Sequence, residues 1–227
     1  MSFLKKIPIK YLGELHDVRL INFSVDITEV KDKVPSPIKV RDFKGRALFS
    51  MVDVQLKNMR PSFIPSVFHF DYRHVGFRLL VEDASYNAGI NKGLFFFRSF
   101  TDKSLIVAGG KLFTDYNLES ANISETGQGV EVTQGNNWIQ YSIGDPLLNS
   151  SEEIQELKRT VGALDRAYSL HGGTLRVTQI QREKWPIQAV ACSDFSTSFF
   201  ESAKLEGAFR VFETIYYQWL PPKSLIS

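Results

Sequence analysis

Residues 40–65, VRDFKGRALFSMVDVQLKNMRPSFIP, and residues 93–118, GLFFFRSFTDKSLIVAGGKLFTDYNL, decide the fold. In the first stretch, residues 46–56 alternate with the period of two that is typical of a β-strand. One face carries Leu48, Ser50, Val52, Val54 and Leu56, and the other carries Ala47, Phe49, Met51, Asp53 and Gln55. Because neither face is mainly polar, we predict a strand that is covered on both sides.

The same alternation extends to several further segments. It predicts strands at residues 18–25, 39–43, 74–82, 93–100, 130–134, 138–143, 174–184 and 208–219. Lys44–Gly45 and the run of residues 135–137 are turn signals, and residues 57–70 are predicted as a loop. In the strand at residues 93–100, Arg98 is assigned to the face of Leu94 and Phe96. Residues 105–108 and 111–116 are predicted as strand interrupted by Gly109–Gly110.

Helical periodicity is clear in one place. Ile154, Leu157, Val161, Leu164 and Tyr168 follow two acidic residues at helical spacing, and Gly172–Gly173 provides a stop. Asp26 with Glu29 forms a capping-box pattern, which predicts a short helix that ends before Pro35. The sequence therefore predicts one long helix and one or two short peripheral ones.

Many strands at short spacing without strand–helix–strand alternation indicate a mainly β fold of the α+β kind. The predicted architecture is one antiparallel, barrel-like sheet with its helices outside. No linker or repeat divides the chain, so residues 1–227 are predicted to form a single domain. Residues 1–15 are predicted to be a peripheral N-terminal arm.

The composition excludes several classes of function. The 27 basic and 25 acidic residues give a net charge of +2, which provides no electrostatic case for a nucleic acid or a membrane surface as partner. The single cysteine, Cys192, allows no internal disulfide, and no apolar run suggests a signal peptide or a membrane span. The sequence thus predicts a cytoplasmic protein. It predicts no metal site and no cofactor, because phosphate-loop spacing and ligand clusters are missing.

Basic residues embedded in apolar strands are the main candidates for a site. Arg78 lies between Phe77 and Leu79, Arg98 follows three phenylalanines, and Lys111 follows two glycines. One interpretation places these cations at strand edges, with apolar stems on the sheet and heads in water. The alternative points one or two of them into the barrel, where Glu82, Asp115 or a ligand carboxylate would supply the counter-charge. Tyr116 is the remaining polar candidate.

Taken together, the segments resemble the acetoacetate decarboxylase-like superfamily and, within it, a branch of uncharacterised bacterial proteins. The resemblance covers most of residues 17–222 by order and spacing, and its motifs are specific only as a set. It is carried by EVKDKVPSPIKV at residues 29–40, FKGRALFSMVDVQLKNMRP at 43–61, GFRLLVE at 76–82, GLFFFRSFTD at 93–102, GGKLFTDYNL at 109–118 and YYQWLPP at 216–222.

The resemblance implies a conical β-barrel around a cavity. In the decarboxylases themselves, a lysine inside the barrel forms a Schiff base with a β-keto acid, and a neighbouring lysine and apolar surroundings lower its pKa. Leu118 and Glu119 stand where that lysine pair would fall, and Lys111 has no lysine neighbour. The resemblance thus implies that acetoacetate decarboxylation is not the reaction of this chain.

Three functions follow from these expectations. The first is a cavity that binds, or transforms by a lyase-like or hydrolytic reaction, a small carboxylate or carbonyl compound, with Arg78, Glu82, Arg98, Lys111 and Tyr116 as ligand-binding residues. The second is a non-catalytic module for an apolar ligand, suggested by the 18 phenylalanines. The third is an inert barrel that acts as an interaction protein, with the apolar segments Pro61–Pro65 and Phe68–Tyr72 as the interface of a homo-oligomer.

Overall fold

The computed structural model describes residues 9–83, 91–113, 118–162, 164–171, 173–182 and 185–224. These residues form sixteen strands and two α-helices. The strands are β1 (Tyr11–Val25), β2 (Lys39–Val40), β3 (Asp42–Phe43), β4 (Arg46–Pro61), β5 (Phe70–Asp83), β6 (Asn91–Thr101), β7 (Glu119–Ser120), β8 (Asn122–Thr126), β9 (Gly129–Gln134), β10 (Asn137–Pro146), β11 (Arg166–His171), β12 (Thr174–Arg182), β13 (Gln188–Thr197), β14 (Lys204–Val211), β15 (Ile215–Trp219) and β16 (Lys223–Ser224). The helices are α1 (Ser104–Phe113) and α2 (Glu152–Gly162).

Seven of these strands close into a ring. The pairings run β4–β5–β6–β11–β12–β15–β1, and β1 pairs in turn with β4. Closure leaves these strands with two neighbours each, which is how a barrel avoids unpaired edges. The barrel expected from the sequence is confirmed, except that the sheet is mixed: β6 pairs in parallel with both β11 and β7.

A second arm of the sheet branches from β1. The N-terminal half of β1 pairs with β15 and completes the ring, whereas the C-terminal half pairs with β14. From β14 the sheet continues through β13, β10 and β9 to β8. A single strand of 15 residues thus connects the ring to the rest of the sheet.

The two faces of β4 and β5 pack into different hydrophobic cores. Ala47, Phe49 and Met51 belong to a first core together with Val75 and Phe77, and this core lies against the second arm. Leu48, Val52, Val54 and Leu56 belong to a second core, which α2 joins through Leu157 and Val161. The predicted division of β4 into two apolar faces, both covered, is therefore confirmed.

Turn chemistry fixes the start of β4. Lys44 and Gly45 both have positive φ angles, of 53° and 79°, and they join β3 to β4 in a two-residue hairpin. Such turns match the right-handed twist of the flanking strands, and they favour glycine at the second position. The turn predicted at Lys44–Gly45 is confirmed.

Several predicted boundaries and element types are wrong. Residues 11–15 belong to β1 rather than to an N-terminal arm, and residues 104–113 form α1 instead of strand. The predicted long helix ends at Gly162, because residues 166–171 form strand β11 instead of continuing the helix. Since β11 pairs with β12, Gly173 lies in the hairpin turn between them rather than at a helix end. Residues 27–33 form two 3-10 turns, and the Asp26 side chain makes no capping hydrogen bond.

Glu29 serves the chain differently from the predicted capping box. Its carboxylate accepts hydrogen bonds from the backbone N–H groups of Glu201 and Ser202 and from the Ser202 hydroxyl. It therefore fixes a loop from the other end of the sequence. Neither helix in the described ranges has the length and apolar character needed to cross a bilayer.

Candidate functional site

The inner face of the ring can be identified from exposure. Ala167 on β11 and Thr178 on β12 lie opposite each other and are 1% and 2% exposed. On the other face, Gln179 on β12 and Tyr216 on β15 are open to solvent, the latter 59% exposed, whereas Tyr168 and Val177 pack into the first core. The face that carries Ala167 and Thr178 therefore points into the ring. Through the pairing of Ala167 with Leu94, this face continues onto the second core.

Arg78 points into the ring. It is paired with Phe96 across β5 and β6, and it lies two residues from Leu80, a member of the second core. Its Nε donates to the backbone oxygen of Ser50 at 2.8 Å, and its Nη2 donates to Ser50 Oγ at 3.2 Å. Both acceptors are neutral, so these two bonds orient the guanidinium without neutralising its charge.

Aromatic rings flank Arg78 on this face. The Phe96 ring lies 5.8 Å from the ring of Trp219, centroid to centroid. Trp219 comes from β15, where it pairs with Tyr11 on one side and with Ile180 on the other. The inner face thus carries a charged group beside flat apolar surfaces, as in ligand sites where a few polar groups fix orientation.

His74 lies on the same inner face, four residues before Arg78. A methyl group built on Gly76, the residue between them on this face, would come within 2.9 Å of His74 Cε1 and 3.1 Å of Nε2. The imidazole therefore lies over Gly76, in space that any other residue would fill. We call Ser50, His74, Gly76, Arg78 and Phe96 the inner-ring site.

His74 is uncharged at neutral pH. Burial lowers the pKa of its imidazole, and the charge of Arg78 lowers it further, to about 3. A neutral imidazole has one nitrogen that donates and one that accepts a hydrogen bond. The inner-ring site therefore combines one fixed cation with one neutral polar ring.

Arg98 is not part of this site. A bulge in β6 pairs Phe77 with Arg98 and Arg78 with Phe96, so Phe97 has no cross-strand partner of its own. The extra residue turns Arg98 to the face of Phe77, where its guanidinium carbon lies 5.6 Å from the ring centre of Phe199. The prediction that Arg98 shares the face of Leu94 and Phe96 is wrong, and the two arginines point to opposite sides of the sheet.

The remaining predicted residues are scattered or undescribed. Glu82 is on the inner-face side of β5, but at the strand end, where it pairs with Lys39 and Lys92. Tyr116 lies outside the described residues, and so does the side chain of Lys111, whose backbone belongs to α1. The structure therefore brings together Arg78 with Ser50, His74 and Phe96, of which only Arg78 was predicted as a ligand-binding residue.

The structure also describes Leu118 and Glu119, the two positions that the resemblance assigns to the lysine pair. Leu118 is 3% exposed, and Glu119 Oε2 accepts a hydrogen bond from Gln134 Nε2 at 3.0 Å. Arg98 Nη1 approaches the same Glu119 oxygen to 4.0 Å. Glu119 and Arg98 thus form a loose, partly exposed ion pair at the end of β6.

A second set of charges lies on the opposite face of β4 and β5. Asp53 is 1% exposed, and Arg73 binds it through two bonds, Nε to Oδ1 at 2.8 Å and Nη2 to Oδ2 at 2.6 Å. Tyr141 donates its hydroxyl to Asp53 Oδ2 at 2.5 Å. Burial raises the pKa of the Tyr141 phenol, and the Asp53 charge raises it further, so this donor keeps its proton.

Arg19 and Glu125 complete this arrangement. Glu125 Oε1 accepts from Arg19 Nη2 at 2.6 Å, and its Oε2 accepts from Arg73 Nη1 at 2.8 Å. Arg19 Nη1 also lies 3.7 Å from Asp53. Arg19 Nη2 donates in addition to Asp17 Oδ2 at 2.5 Å, so the two arginines are compensated by Asp53, Glu125 and, for Arg19, also Asp17. We call Arg19, Asp53, Arg73, Glu125 and Tyr141 the charged cluster; sequence analysis did not identify it.

No described cluster resembles a metal centre. Within the described ranges, no group of three or more His, Cys, Asp or Glu residues has a ligating arrangement. His69 lies 3.9 Å from Asp71 on the outside, while His74 points inward. A cleft of about 390 Å³ opens on the outer side of β1 and β15, near Glu14, Arg60 and Tyr216, away from the inner-ring site.

Comparison with known proteins supports the fold. The DUF2071 family model, described as an uncharacterized conserved protein, matches residues 13–219. No curated protein matches the sequence. Among solved structures, the chain is similar to an acetoacetate decarboxylase-like enzyme from Sphingomonas wittichii RW1, with a TM-score of 0.61, 10% identity, and coverage of 97% of this chain and 94% of that one.

Two further solved structures give the same result. The enduracididine biosynthesis enzyme MppR, complexed with the condensation product of pyruvate and imidazole 4-carboxaldehyde, has a TM-score of 0.62 and 10% identity, with coverage of 99% and 92%. Acetoacetate decarboxylase from Legionella pneumophila has a TM-score of 0.61 and 13% identity, with coverage of 96% and 86%. At these identities the likeness establishes an acetoacetate decarboxylase-like fold and nothing finer.

Proposed function

We propose, since the chain belongs to the DUF2071 family and has the acetoacetate decarboxylase-like fold, that it binds a small organic acid inside the seven-stranded ring. Arg78 grips the carboxylate, and the aromatic surfaces of Phe96 and Trp219 cover the rest of the ligand. MppR, a protein of the same fold, carries a pyruvate-derived compound. By analogy, we propose a small oxo acid or other carboxylate as the ligand of this chain.

The orientation of Arg78 is the observation that carries this proposal. Its guanidinium is half-buried on the inner face, is held by two neutral oxygens of Ser50, and is opposite an aromatic ring. A planar guanidinium with a fixed orientation suits a carboxylate, because it can offer two parallel N–H donors. Surrounding apolar surfaces strengthen such an ion pair by lowering the local dielectric.

We propose further that the ligand is held without a Schiff base to a lysine. Leu118 and Glu119 occupy the positions that the resemblance assigns to the lysine pair, and Leu118 is buried. Borohydride trapping with 3-oxobutanoate and 2-oxopropanoate, followed by intact-mass measurement, tests this part. We expect no adduct; a covalent adduct at any lysine would restore family-type chemistry.

Carboxylate titration tests the binding proposal. We expect propanoate, 2-oxopropanoate or 3-oxobutanoate to bind the wild-type chain in isothermal titration, and Arg78→Gln to weaken binding at least tenfold. Arg98→Gln is the matched control, because it removes an arginine from the other face of the same two strands, and it should leave affinity unchanged. The proposal fails if none of the acids binds, or if Arg98→Gln rather than Arg78→Gln abolishes binding.

A further inference from the structure

His74 is a polar group of the inner-ring site to which the proposed function gives no role. It is buried, faces the interior of the ring and lies on the same strand face as Arg78. Alternate residues on one face of a strand are about 7 Å apart, so an imidazole that leans over Gly76 lies within one such spacing of the Arg78 position. The two side chains therefore border one small region of the ring.

Gly76 makes room for the imidazole of His74 beside Arg78. Its absent side chain leaves the space that the imidazole fills, since a Cβ there would contact His74 Cε1 and Nε2 and would lie 3.4 Å from Val52 Cγ1. Val52 and the backbone of β5 thus limit where the ring can sit. The spacing His74–Gly76–Arg78 places a polar ring and a cation side by side on one rigid strand, which is the kind of element that positions groups well.

We infer that His74, seated over Gly76, is a specificity-determining residue of the inner-ring site, whose imidazole contacts an oxygen that the ligand carries beyond the carboxylate held by Arg78. This inference rests on the proposed function. It assigns to one residue the distinction between an acid with an oxo group near its carboxylate and the plain acid of the same length.

The chemistry of the imidazole fits this role. Its pKa is lowered to about 3, first by burial and then by the Arg78 charge, so the ring is neutral across the physiological range. A neutral ring adds a hydrogen-bonding group without adding a second positive charge. A site built to hydrogen-bond a ligand oxygen also disfavours ligands that lack it, because its buried polar groups then lose a partner.

Matched acid pairs test the inference in the full chain. The dissociation constants of 2-oxopropanoate and propanoate, and of 3-oxobutanoate and butanoate, are measured for the wild type, His74→Phe and Gly76→Ala. We expect the wild type to prefer at least one oxo acid by about tenfold. In both variants the preference should fall below twofold.

Gly76→Ala has a matched control in Gly129→Ala. Gly129 also lies in a strand, but a Cβ there makes only ordinary contacts, at 3.4 Å and beyond, on the second arm. This control should retain the preference. Gly76→Ala itself meets the tip of a side chain rather than backbone, so it displaces the His74 ring and leaves the strand in place; amide NMR spectra verify the fold of each variant.

The outcomes separate the two proposals. If the wild type binds plain and oxo acids equally, the role of His74 is refuted while the Arg78 site stands. If the preference for the oxo acid persists in His74→Phe and in Gly76→Ala, the role of His74 is likewise refuted while the Arg78 site stands. If the wild type binds no acid at all, the proposed function fails, and this inference fails with it. Imidazole ¹⁵N shifts of His74 that respond to the oxo acids only would support the contact directly.

Discussion

The charged cluster and the inner-ring site occupy opposite faces of the same two strands. Arg73 and His74 are neighbours in sequence, yet Arg73 is locked to Asp53 and Glu125, whereas His74 lies beside an arginine bound to the neutral oxygens of Ser50. In the charged cluster, each positive charge has a carboxylate within a hydrogen bond. In the inner-ring site, two bonds of Arg78 go to neutral oxygens of Ser50 and orient its guanidinium.

This difference separates structural charges from charges that can act on a ligand. A buried ion pair with all its members present contributes little net stability, but removing one member leaves a costly isolated charge. Where an arginine donates to neutral oxygens, its replacement leaves hydrogen-bonding groups rather than a carboxylate at those bonds, so we expect a smaller cost in folding. Stability measurements should therefore distinguish the two regions, and the following substitutions are ordered by expected effect.

Asp53→Asn should have the largest effect on folding. It removes the charge that accepts two of the three Arg73 bonds and leaves that buried guanidinium with Glu125 alone, whereas Arg19 keeps Glu125 and Asp17. We therefore expect a loss of about 3–5 kcal/mol in the free energy of unfolding. Urea denaturation measures it. Asp71→Asn, on the exposed start of β5, is the control and should change stability by less than about 0.5 kcal/mol. A small effect of Asp53→Asn would mean that the charged cluster is not structural.

Glu125→Gln should lower the free energy of unfolding by less than Asp53→Asn does, and the size of this loss should depend on pH. Burial raises the pKa of Glu125, but the hydrogen bond from Arg19 and the charges of Arg19 and Arg73 outweigh it and lower the pKa below its ordinary 4.5. The folded pKa is below the unfolded one, so the stabilisation is present above about pH 4.5 and is lost as the pH falls through the folded value. Because the side chain is 35% exposed, we expect only about 1 kcal/mol at pH 7.

The measurement is urea denaturation of Glu125→Gln and wild type between pH 3 and 7. The difference in their unfolding free energies should narrow steadily below pH 4.5. Glu131→Gln, exposed on the neighbouring β9, serves as the control for loss of a surface carboxylate. A difference that stays constant down to pH 3 would contradict the lowered pKa.

Arg78→Gln should lower the free energy of unfolding by about 1 kcal/mol, the usual value for a partly buried hydrogen-bonded group, while it weakens acid binding at least tenfold. Thermal or urea unfolding without ligand gives the first quantity, and titration gives the second. If its folding cost equalled that of Asp53→Asn, Arg78 would be a structural charge, and the contrast between the two regions would disappear.

Arg98→Gln should have the smallest effect, below about 0.5 kcal/mol. Its ion pair with Glu119 spans 4.0 Å, and both side chains are about one-third exposed. Urea unfolding of wild type and Arg98→Gln in low and high salt measures this difference in unfolding free energy, and the difference should hardly change with ionic strength. A loss above 1 kcal/mol would show that stacking on Phe199 matters more than the ion pair.

The two faces of β4 and β5 could be predicted from the sequence, because successive side chains of a regular strand alternate between its two faces. This alternation correctly divided Leu48, Val52 and Val54 from Ala47, Phe49 and Met51. It failed for Arg98, since one unpaired residue in β6 reverses the side of every residue after it. Glycine-rich residues 104–113 also defeated the pattern, because apolar residues without clear periodicity fit a strand or a helix.

The charged cluster was not predictable from local pattern, because its members come from β1, β4, β5, β8 and β10. Asp53 nevertheless gave a usable signal: a carboxylate between two valines, in a strand with two apolar faces, requires a buried cation. The partner of Asp53 could not be named, since Arg73 and Arg78 are both candidates until the register between β4 and β5 is known. The inner-ring site had a local signal as well, in the alternation of His74, Gly76 and Arg78.

The pairing of Tyr11 with Trp219 has a consequence for the nascent chain. On the ribosome, β1 is made early, but the strand that closes the ring beside it appears only near residue 219. Until then one long edge of β1 has unpaired N–H and C=O groups, which is a template for aggregation. Such distant contacts also slow folding. During translation, we therefore expect that edge to need protection, and the ring of strands closes last.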